Sequence, residues 1–141
     1  MLLQSTSRSP DEPWEIRCYL RESGKNDALA WHAKFSTKGK VKVRTRLHYL
    51  RFQPQERWTR PEAAALKNNV AVIHVTDENG SKHRLTGYFD HRNHAFVICV
   101  LGYEKDDVYY PPDYEERTRR CRDDVGDDFD QRTAKWPWPI H

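Results

Sequence analysis

The sequence predicts an α+β fold in which helices cover one face of an antiparallel meander. Three segments with strand character, residues 70–76, 82–90 and 95–101, follow one another with only short turns between them. The first turn, residues 77–81, contains Asn79-Gly80, a pair that supplies the positive φ angles of a tight hairpin. Helix start signals precede the meander and also follow it. Strands grouped in this way between helices indicate an α+β fold.

Length and composition predict one domain with a small core. The chain has 141 residues, of which 32% are charged and 37% hydrophobic. Its net charge of +3 conceals an asymmetry, because residues 1–70 hold 14 Lys and Arg against 7 Asp and Glu, whereas residues 71–141 hold 10 against 14. No segment reaches the roughly 18 apolar residues of a membrane span, and the N-terminus lacks a secretory signal pattern. We therefore expect a cytoplasmic protein that does not contact a membrane.

The predicted domain spans residues 14–122. Residues 1–13 are polar and aperiodic, and we expect a flexible tail there. Residues 123–141 are acidic and end in WPWPIH, and we expect a second, extended tail. Its two tryptophans are expected to fold back on the apolar surface of the domain, because tryptophans are rarely left fully exposed.

The cysteines and histidines predict no metal site. Cys18, Cys99 and Cys121 are odd in number and lack C-x-x-C spacing, and we interpret them as free, buried or half-buried thiols. The histidines show no spacing that would gather them around zinc. The sequence therefore predicts no metal and no cofactor.

The N-terminal half predicts one strand and two helices. Residues 14–20 alternate apolar and polar side chains with the period of a half-buried strand. Asn26 or Asp27 can cap a short helix over residues 28–35. Thr59 can cap a second helix, which runs through an alanine-rich segment and ends at Asn68-Asn69.

The basic segment between these helices is a candidate RNA-binding surface. Residues 34–60 hold nine Lys and Arg and one acid, with aromatic residues interleaved. Apolar residues at 41–49 alternate like a strand, whereas Val43, Leu47 and Leu50 stand at helical spacing, and the local pattern slightly favours the strand. Either geometry places several cations on one surface that attracts phosphates, and the alternative is a solvated basic face without a ligand. The candidate residues are Lys40, Lys42, Arg44, Arg46 and Arg51.

The central strand is predicted at residues 95–101, the longest apolar run, which suits a strand buried on both faces. Gly102 then opens a loop crowded with titratable and aromatic residues: Tyr103, Glu104, Lys105, Asp106, Asp107, Tyr109 and Tyr110. Pro111 and Asp113 begin a short charged helix with acidic residues in its first turn. We expect the chemistry of the protein in the loop between this strand and this helix.

Three stretches carry a family resemblance over roughly half of the chain. Residues 47–66 have leucines at helical spacing, then a proline and an arginine-proline. Residues 70–88 form a hairpin with an arginine on its inner strand, and residues 96–120 combine a glycine-aromatic pair, a lysine, a proline and a charged helix. With these features the sequence resembles the RelE/HigB/ParE superfamily of bacterial toxins, in particular its phage-derived HigB-like branch.

The resemblance implies a small twisted antiparallel sheet of about four strands, packed against an N-terminal two-helix hairpin and followed by a short C-terminal helix. It favours a helix over residues 40–52. It also implies the toxin component of a type II toxin-antitoxin system, a metal-independent mRNA interferase that cleaves ribosome-associated mRNA, inhibits translation and is bound by a cognate antitoxin. Such an endoribonuclease needs a base for the ribose 2′-OH, cations for the pentavalent phosphorane and an acid for the 5′ leaving oxygen.

The same resemblance implies the catalytic residues. Arg84 matches the family's hairpin arginine and Lys105 matches the first lysine of a family pair, and both are expected to meet the scissile phosphate in one hollow. Lys82 and His83 are candidate proton carriers. The aromatic candidates for stacking a splayed base are Tyr103, Tyr109 and Tyr110, of which Tyr109 is also a catalytic candidate.

Structural alternatives stand beside these roles. Arg84 is alternatively a surface strand residue paired with Asp90 or Glu104. Lys105 is alternatively an exposed loop cation, and His83 a cross-strand packing residue.

Departures from the family pattern leave the activity open. Asp106 stands where the branch has a second lysine, and an acid at this place fits either a general base or a site that has lost cleavage. The alternative functions are a ParE-like toxin that binds DNA gyrase and a degenerate family member that only binds its partner.

Overall fold

The computed structural model describes residues 12–139. The strands are β1 (Glu15–Tyr19), β2 (Ala63–Ala65), β3 (Val70–Thr76), β4 (Lys82–Asp90), β5 (Ala95–Lys105), β6 (Val108–Tyr110) and β7 (Thr133–Lys135). The α-helices are α1 (Asp27–Ala33), α2 (Thr37–Arg51), α3 (Tyr114–Val125) and α4 (Phe129–Arg132). A 3-10 turn, Gln55–Arg57, follows α2.

The seven strands belong to one mixed sheet with the order β2-β3-β4-β5-β1-β7. β1 lies parallel to β5, with Ile16 opposite Phe96, and β7 runs antiparallel to β1. β6 pairs with residues 103–105 of β5. Because β4 occupies the other side of β5 along nearly its whole length, β1 and β6 share one edge of β5 and leave a gap between them.

The predicted architecture, about four antiparallel strands against an N-terminal two-helix hairpin, is wrong. The sheet has seven strands in mixed orientation. The N-terminal strand enters the sheet parallel to β5, which requires a long crossover connection, and α1 and α2 lie within that connection. The further strands β2, β6 and β7 have three residues each, too few for an alternating pattern to identify them.

Residues 37–51 form the helix α2 and not the strand that the local pattern slightly favoured. Ser36 caps the helix, because its hydroxyl accepts a hydrogen bond from the Gly39 N–H at 3.0 Å. The buried positions are Gly39, Val43, Leu47 and Leu50, which lie on one side of the helix. The alternation was misleading because Val41 and Tyr49 are exposed apolar residues.

The alanine-rich segment predicted as a second helix forms β2 instead. Ala63 is fully buried and lies opposite Ile73 of β3. The Glu62 carbonyl accepts a hydrogen bond from the His74 N–H at 2.9 Å, which extends the contact with β3. Pairing with β3 therefore outweighs the helix propensity of alanine.

The sheet is covered on both sides, and we call the sides the front face and the back face. The front face packs on α1 and α2 through a core that joins Leu85 and Phe96 to Leu47 of α2. The back face packs on α3 and α4 through a smaller cluster that contains Tyr88 and Phe129. Side chains from successive residues of β4 and β5 therefore reach different surroundings.

The C-terminal segment contributes to the sheet. The boundary predicted at residue 122 falls inside α3, and α4 and β7 follow. The Trp136 N–H donates to the Ile16 carbonyl at 2.9 Å, the Trp136 side chain is buried, and Trp138 packs against the same core. The expected fold-back of the tryptophans is thus confirmed. Of the predicted N-terminal tail, only residues 12 and 13 belong to the described part of the chain.

Among the helices of residues 12–139, none has both the length and the apolar character needed to cross a membrane.

Candidate active site

The strands β4 and β5 divide the predicted site residues between the two faces of the sheet. Arg84 lies opposite Gly102, and His83 lies opposite Tyr103. Because side chains alternate along a strand, Arg84 points to the back face, whereas His83, Tyr103 and Lys105 point to the front face. The expectation that Arg84 and Lys105 converge on one hollow is wrong.

On the back face, Arg84 is already engaged by a carboxylate. Its Nε and NH2 groups each lie 2.9 Å from Glu104 Oε1, and NH1 donates to the His83 carbonyl at 3.0 Å. Its guanidinium also lies 5.7 Å from the centre of the Tyr109 ring. Arg84 is 8% exposed, so a substrate phosphate would have to displace Glu104 to bind it. Arg84 is thus paired with Glu104, which is one of the two pairings given as the structural alternative for this residue.

His74 and Tyr109 complete this back-face cluster. The Pro61 carbonyl can only accept, so His74 donates through Nδ1–H, with an N···O distance of 3.2 Å, and its Nε2 accepts from the Tyr109 hydroxyl at 3.1 Å. Burial, reinforced by the positive charge of Arg84, lowers the pKa of His74 from 6.5 to about 4. The imidazole is therefore neutral at neutral pH, and the cluster joins β3, β4, β5 and β6.

His74 was not among the predicted site residues, although the sequence contained the signal. The turn at residues 77–81 separates two strands of predicted length, so the register of the hairpin places His74 opposite Arg84. That deduction needed only the predicted strand ends. It would have identified a histidine and an arginine as neighbours on one face.

A cleft of about 700 Å³ opens on the front-face side and is lined by four of the predicted residues: Lys82, His83, Tyr103 and Lys105. Of these, Lys82 alternates with Arg84 rather than with His83, and its Nζ lies 3.9 Å from Glu104 Oε2. Trp31 of α1 forms its opposite wall, and Glu104, Asp106 and Asp107 contribute acids to its lining. The volume lies within the roughly 300–1,000 Å³ of small-molecule sites. The structure thus brings together the lysines, the histidine and one tyrosine that the resemblance implied, without Arg84 and Tyr109.

Asp77 orients His83 in this cleft. The His83 Nε2 lies 3.0 Å from Asp77 Oδ2, and the other carboxylate oxygen accepts backbone N–H groups of Asn79 at 2.8 Å and Ser81 at 2.9 Å. The hydrogen bond with His83, aided by those two N–H groups, lowers the pKa of Asp77 despite partial burial. An ionised Asp77 accepts a hydrogen bond from the Nε2–H of His83, so the neutral imidazole presents Nδ1 as its unprotonated nitrogen.

Aromatic side chains hold the imidazole of His83 in place. Its ring centre lies 5.6 Å from that of Trp31 and 4.9 Å from that of Phe35. A second cleft of about 350 Å³ opens on the other side of His83 and is lined by Lys34 and Ser36. His83 therefore lines both clefts, which together can bind an extended polymer. The ring contacts are with α1 and with Phe35 shortly after it, so they are not the cross-strand packing that stood as the alternative for His83.

The loop predicted after β5 is a hairpin. Asp106 and Asp107 form its two-residue turn with φ values of 53° and 63°, a left-handed region that Asp tolerates. The turn fixes Lys105 opposite Val108 and brings Tyr103 and Tyr110 into a stack with ring centres 5.1 Å apart. Both tyrosines are exposed on the front-face side, so a planar base can contact them.

The basic candidates lie on α2, outside the front-face cleft. The helix contains six cations and no acid: Lys38, Lys40, Lys42, Arg44, Arg46 and Arg51. Arg46 lies 3.8 Å from Glu62, and Arg51 stacks on Trp138 and Phe52. Another cleft, of about 430 Å³, is lined by Arg44, Arg51 and Trp138. The structure thus interleaves cations with aromatic rings on this helix.

Two further observations bear on function. Within residues 12–139, no group of three or more His, Cys, Asp or Glu side chains is arranged to hold a metal ion. No protein-family model, curated protein or solved structure matches the chain. Function is therefore inferred from the residues and their geometry.

Proposed function

We propose that the protein is a metal-independent endoribonuclease that cleaves RNA in the front-face cleft. One observation carries this proposal: His83, which is paired with Asp77 at 3.0 Å, lines a cleft that is also lined by Lys82 and Lys105. A carboxylate that orients a histidine base beside two cations is an arrangement suited to 2′-OH chemistry.

In the proposed reaction, His83 Nδ1 takes the proton of a ribose 2′-OH, and the 2′-oxygen attacks the adjacent phosphorus. Asp77 stabilises the imidazolium that forms. The ammonium groups of Lys82 and Lys105 stabilise the negative charge of the phosphorane, and one of them protonates the departing 5′-oxygen. The products are a 2′,3′-cyclic phosphate and a 5′-hydroxyl.

Residues around the cleft are proposed to bind the RNA. Trp31 and the stacked pair of Tyr103 and Tyr110 offer planar faces for unstacked bases, the usual means of holding single-stranded RNA. Lys34 lines the neighbouring cleft together with His83 and lies three residues before the first residue of α2. The cations of α2 can therefore bind phosphates of the same RNA strand beyond the cleft. In this proposal Arg84 and Tyr109 support the sheet and take no part in the chemistry.

The resemblance adds a biological setting to the proposal: a toxin that acts on ribosome-associated mRNA in the cytoplasm and is bound by a cognate antitoxin. The cations of α2, a helix without an acid of its own, support a partner that covers them. Expression of the protein alone should arrest growth, and co-expression of the neighbouring reading frame should restore it. Normal growth without the neighbour would argue against the toxin setting, while leaving RNA cleavage to be judged by its own assay.

The decisive experiment is translation of a defined message in vitro, with cut sites read by primer extension. The wild-type chain should produce cuts with 5′-hydroxyl ends. His83→Ala should reduce the rate at least about 100-fold, the lower end of the effect of removing a general base. Lys105→Ala should reduce it as well, whereas Lys67→Ala, at an exposed lysine outside the cleft, is the matched control.

Arg84→Met provides the contrast between the two faces. A reduced rate should follow only from lost stability, so correction for the folded fraction should restore the wild-type rate. Cleavage that is abolished in folded Arg84→Met but retained in His83→Ala would place the reaction on the back face and refute the proposal.

A binding function without cleavage is the second candidate, and the cationic, acid-free helix α2 favours it. In that case labelled single-stranded RNA binds but remains uncut, and Lys40→Glu with Lys42→Glu weakens binding and reduces its salt dependence. Uncut message together with inhibited supercoiling by gyrase would instead support the ParE-like alternative.

A further inference from the structure

Cys99 and Cys121 form a thiol pair that the proposed RNA chemistry does not use. Both are free, as the sequence predicted, and both line one cleft, while the Cys99 thiol donates a hydrogen bond to the Val97 carbonyl at 3.5 Å. Cys99 belongs to β5 and Cys121 to α3, so the pair spans two elements that meet on the back face. Burial raises the pKa of Cys99 well above its usual value, and the neighbouring Cys99 thiol lowers the pKa of Cys121.

A β-bulge places Cys99 in this position. Thr86 lies opposite Val100, but the next residue, Gly87, lies opposite Ile98, which leaves Cys99 as the extra residue of β5. Gly87 permits the bulge, because a Cβ at that position would collide with the Val97 carbonyl oxygen. Bulges often redirect a side chain beside a functional site.

The thiols are also open to solvent. β1 covers β5 only as far as Ile98, and β6 begins to pair at Tyr103, so no strand of residues 12–139 covers this edge of β5 at Cys99. A cleft of about 760 Å³ opens at this unpaired part of β5 and is lined by Cys99, Cys121 and Arg120. A small oxidant can therefore reach the pair without unfolding of the sheet.

Cys18 provides an internal contrast. It is fully buried in the front-face core, and burial raises its pKa to about 12. A thiol in this state is protonated and inaccessible, so it should not react under conditions that modify the half-buried pair of Cys99 and Cys121.

We propose that Cys121 and Cys99 are a peroxide-oxidised dithiol, with Cys121 as the attacking and Cys99 as the resolving residue. The Cys121 thiolate attacks one oxygen of hydrogen peroxide, the O–O bond breaks, and hydroxide leaves, giving a sulfenic acid. Cys99 sulfur then displaces the hydroxyl group from Cys121 sulfur, forming the disulfide and water. In total, two thiols and one hydrogen peroxide yield one disulfide and two waters.

The bond would fix α3 against β5. Tyr114, the first residue of α3, has its ring centre 5.2 Å from that of Tyr109, so the helix that the disulfide anchors also touches the cluster of His74 and Arg84. Oxidation is therefore expected to raise the thermal midpoint of the full chain, and reduction should reverse the change.

The test is peptide mapping of the folded chain after peroxide treatment and an alkylating quench. A Cys99–Cys121 cross-link, about 2 Da lighter than the separate peptides, supports the proposal. Cys99→Ser should instead trap a sulfenic acid on Cys121 that dimedone labels, and Cys121→Ser should leave Cys99 unlabelled. Cys18→Ala is the matched control and should form the cross-link as the wild type does.

Three results would overturn the proposal: a fully alkylated wild-type chain, a cross-link to Cys18, or dimedone on Cys99 in preference to Cys121. The wild-type map is sufficient by itself if a serine variant does not fold. In addition, a maleimide probe should modify Cys121 at least about ten-fold faster than Cys18, and equal rates would also count against it.

Discussion

Protonation of His74 is expected to destabilise the fold between pH 7 and pH 5. The folded chain holds this imidazole neutral, with its pKa lowered to about 4 by burial and by Arg84, whereas the unfolded chain binds a proton near pH 6.5. Between these two values the unfolded state takes up a proton that the folded state does not. Stability is therefore fully present above pH 6.5 and falls as the pH decreases toward 4.

The size of the effect follows from the two pKa values. With 6.5 in the unfolded chain and about 4 in the folded chain, the free energy of unfolding decreases by about 2 kcal/mol between pH 7 and pH 5. The full loss at lower pH is about 3 kcal/mol. His74 is 8% exposed, so solvent does little to screen the interaction.

Urea denaturation at several pH values measures this dependence. His74→Asn keeps an amide donor for the Pro61 carbonyl but cannot be protonated. Between pH 7 and pH 5, its free energy of unfolding should therefore decrease by about 2 kcal/mol less than that of the wild type. Its stability at pH 7 is expected to be lower, which does not affect the slope. His48→Asn, at an exposed position of α2, controls for the loss of a histidine. Identical slopes for His74→Asn and the wild type would refute the reasoning.

Three further substitutions test the packing of the sheet and its helix. Gly102→Ala should destabilise the protein by about 3 kcal/mol or more, because the new Cβ collides with the Tyr110 carbonyl oxygen, and hydrogen exchange should locate the damage in β6. Ser36→Ala should cost about 1 kcal/mol in a thermal melt by removing the cap of α2. Arg84→Met should cost about 3 kcal/mol because Glu104 loses its buried partner and keeps only Lys82, at 3.9 Å. Adding Glu104→Gln should recover part of that loss, and equal stability of the single and double variants would contradict this.

The hairpin of β3 and β4 could be predicted from the sequence because its information is local. An alternating run, an Asn-Gly turn and a second alternating run define it, and both strands have the predicted bounds, Val70–Thr76 and Lys82–Asp90. The front-face grouping of His83 and Tyr103 follows from the same register. The division of His83 and Arg84 between the two faces follows from the same alternation.

The remaining parts of the fold depend on contacts between distant residues. Nothing near residues 15–19 indicates that this strand will lie parallel to β5, about 80 positions later. The alanine-rich segment has the composition of a helix and becomes β2 only because β3 offers a partner. Asp77 was interpreted as a turn residue, and its pairing with His83 becomes visible only when the turn closes.

The order of the sheet has a consequence for how the protein behaves at high concentration. In the described part of the chain, both outermost strands, β2 and β7, are only three residues long. A free strand edge is a template on which another copy can add, and a three-residue edge offers too few backbone groups for a lasting attachment. The longest and most apolar strand, β5, lies inside the sheet. The arrangement therefore protects the protein against polymerisation through its strands, and an insertion that lengthened β2 or β7 would remove that protection.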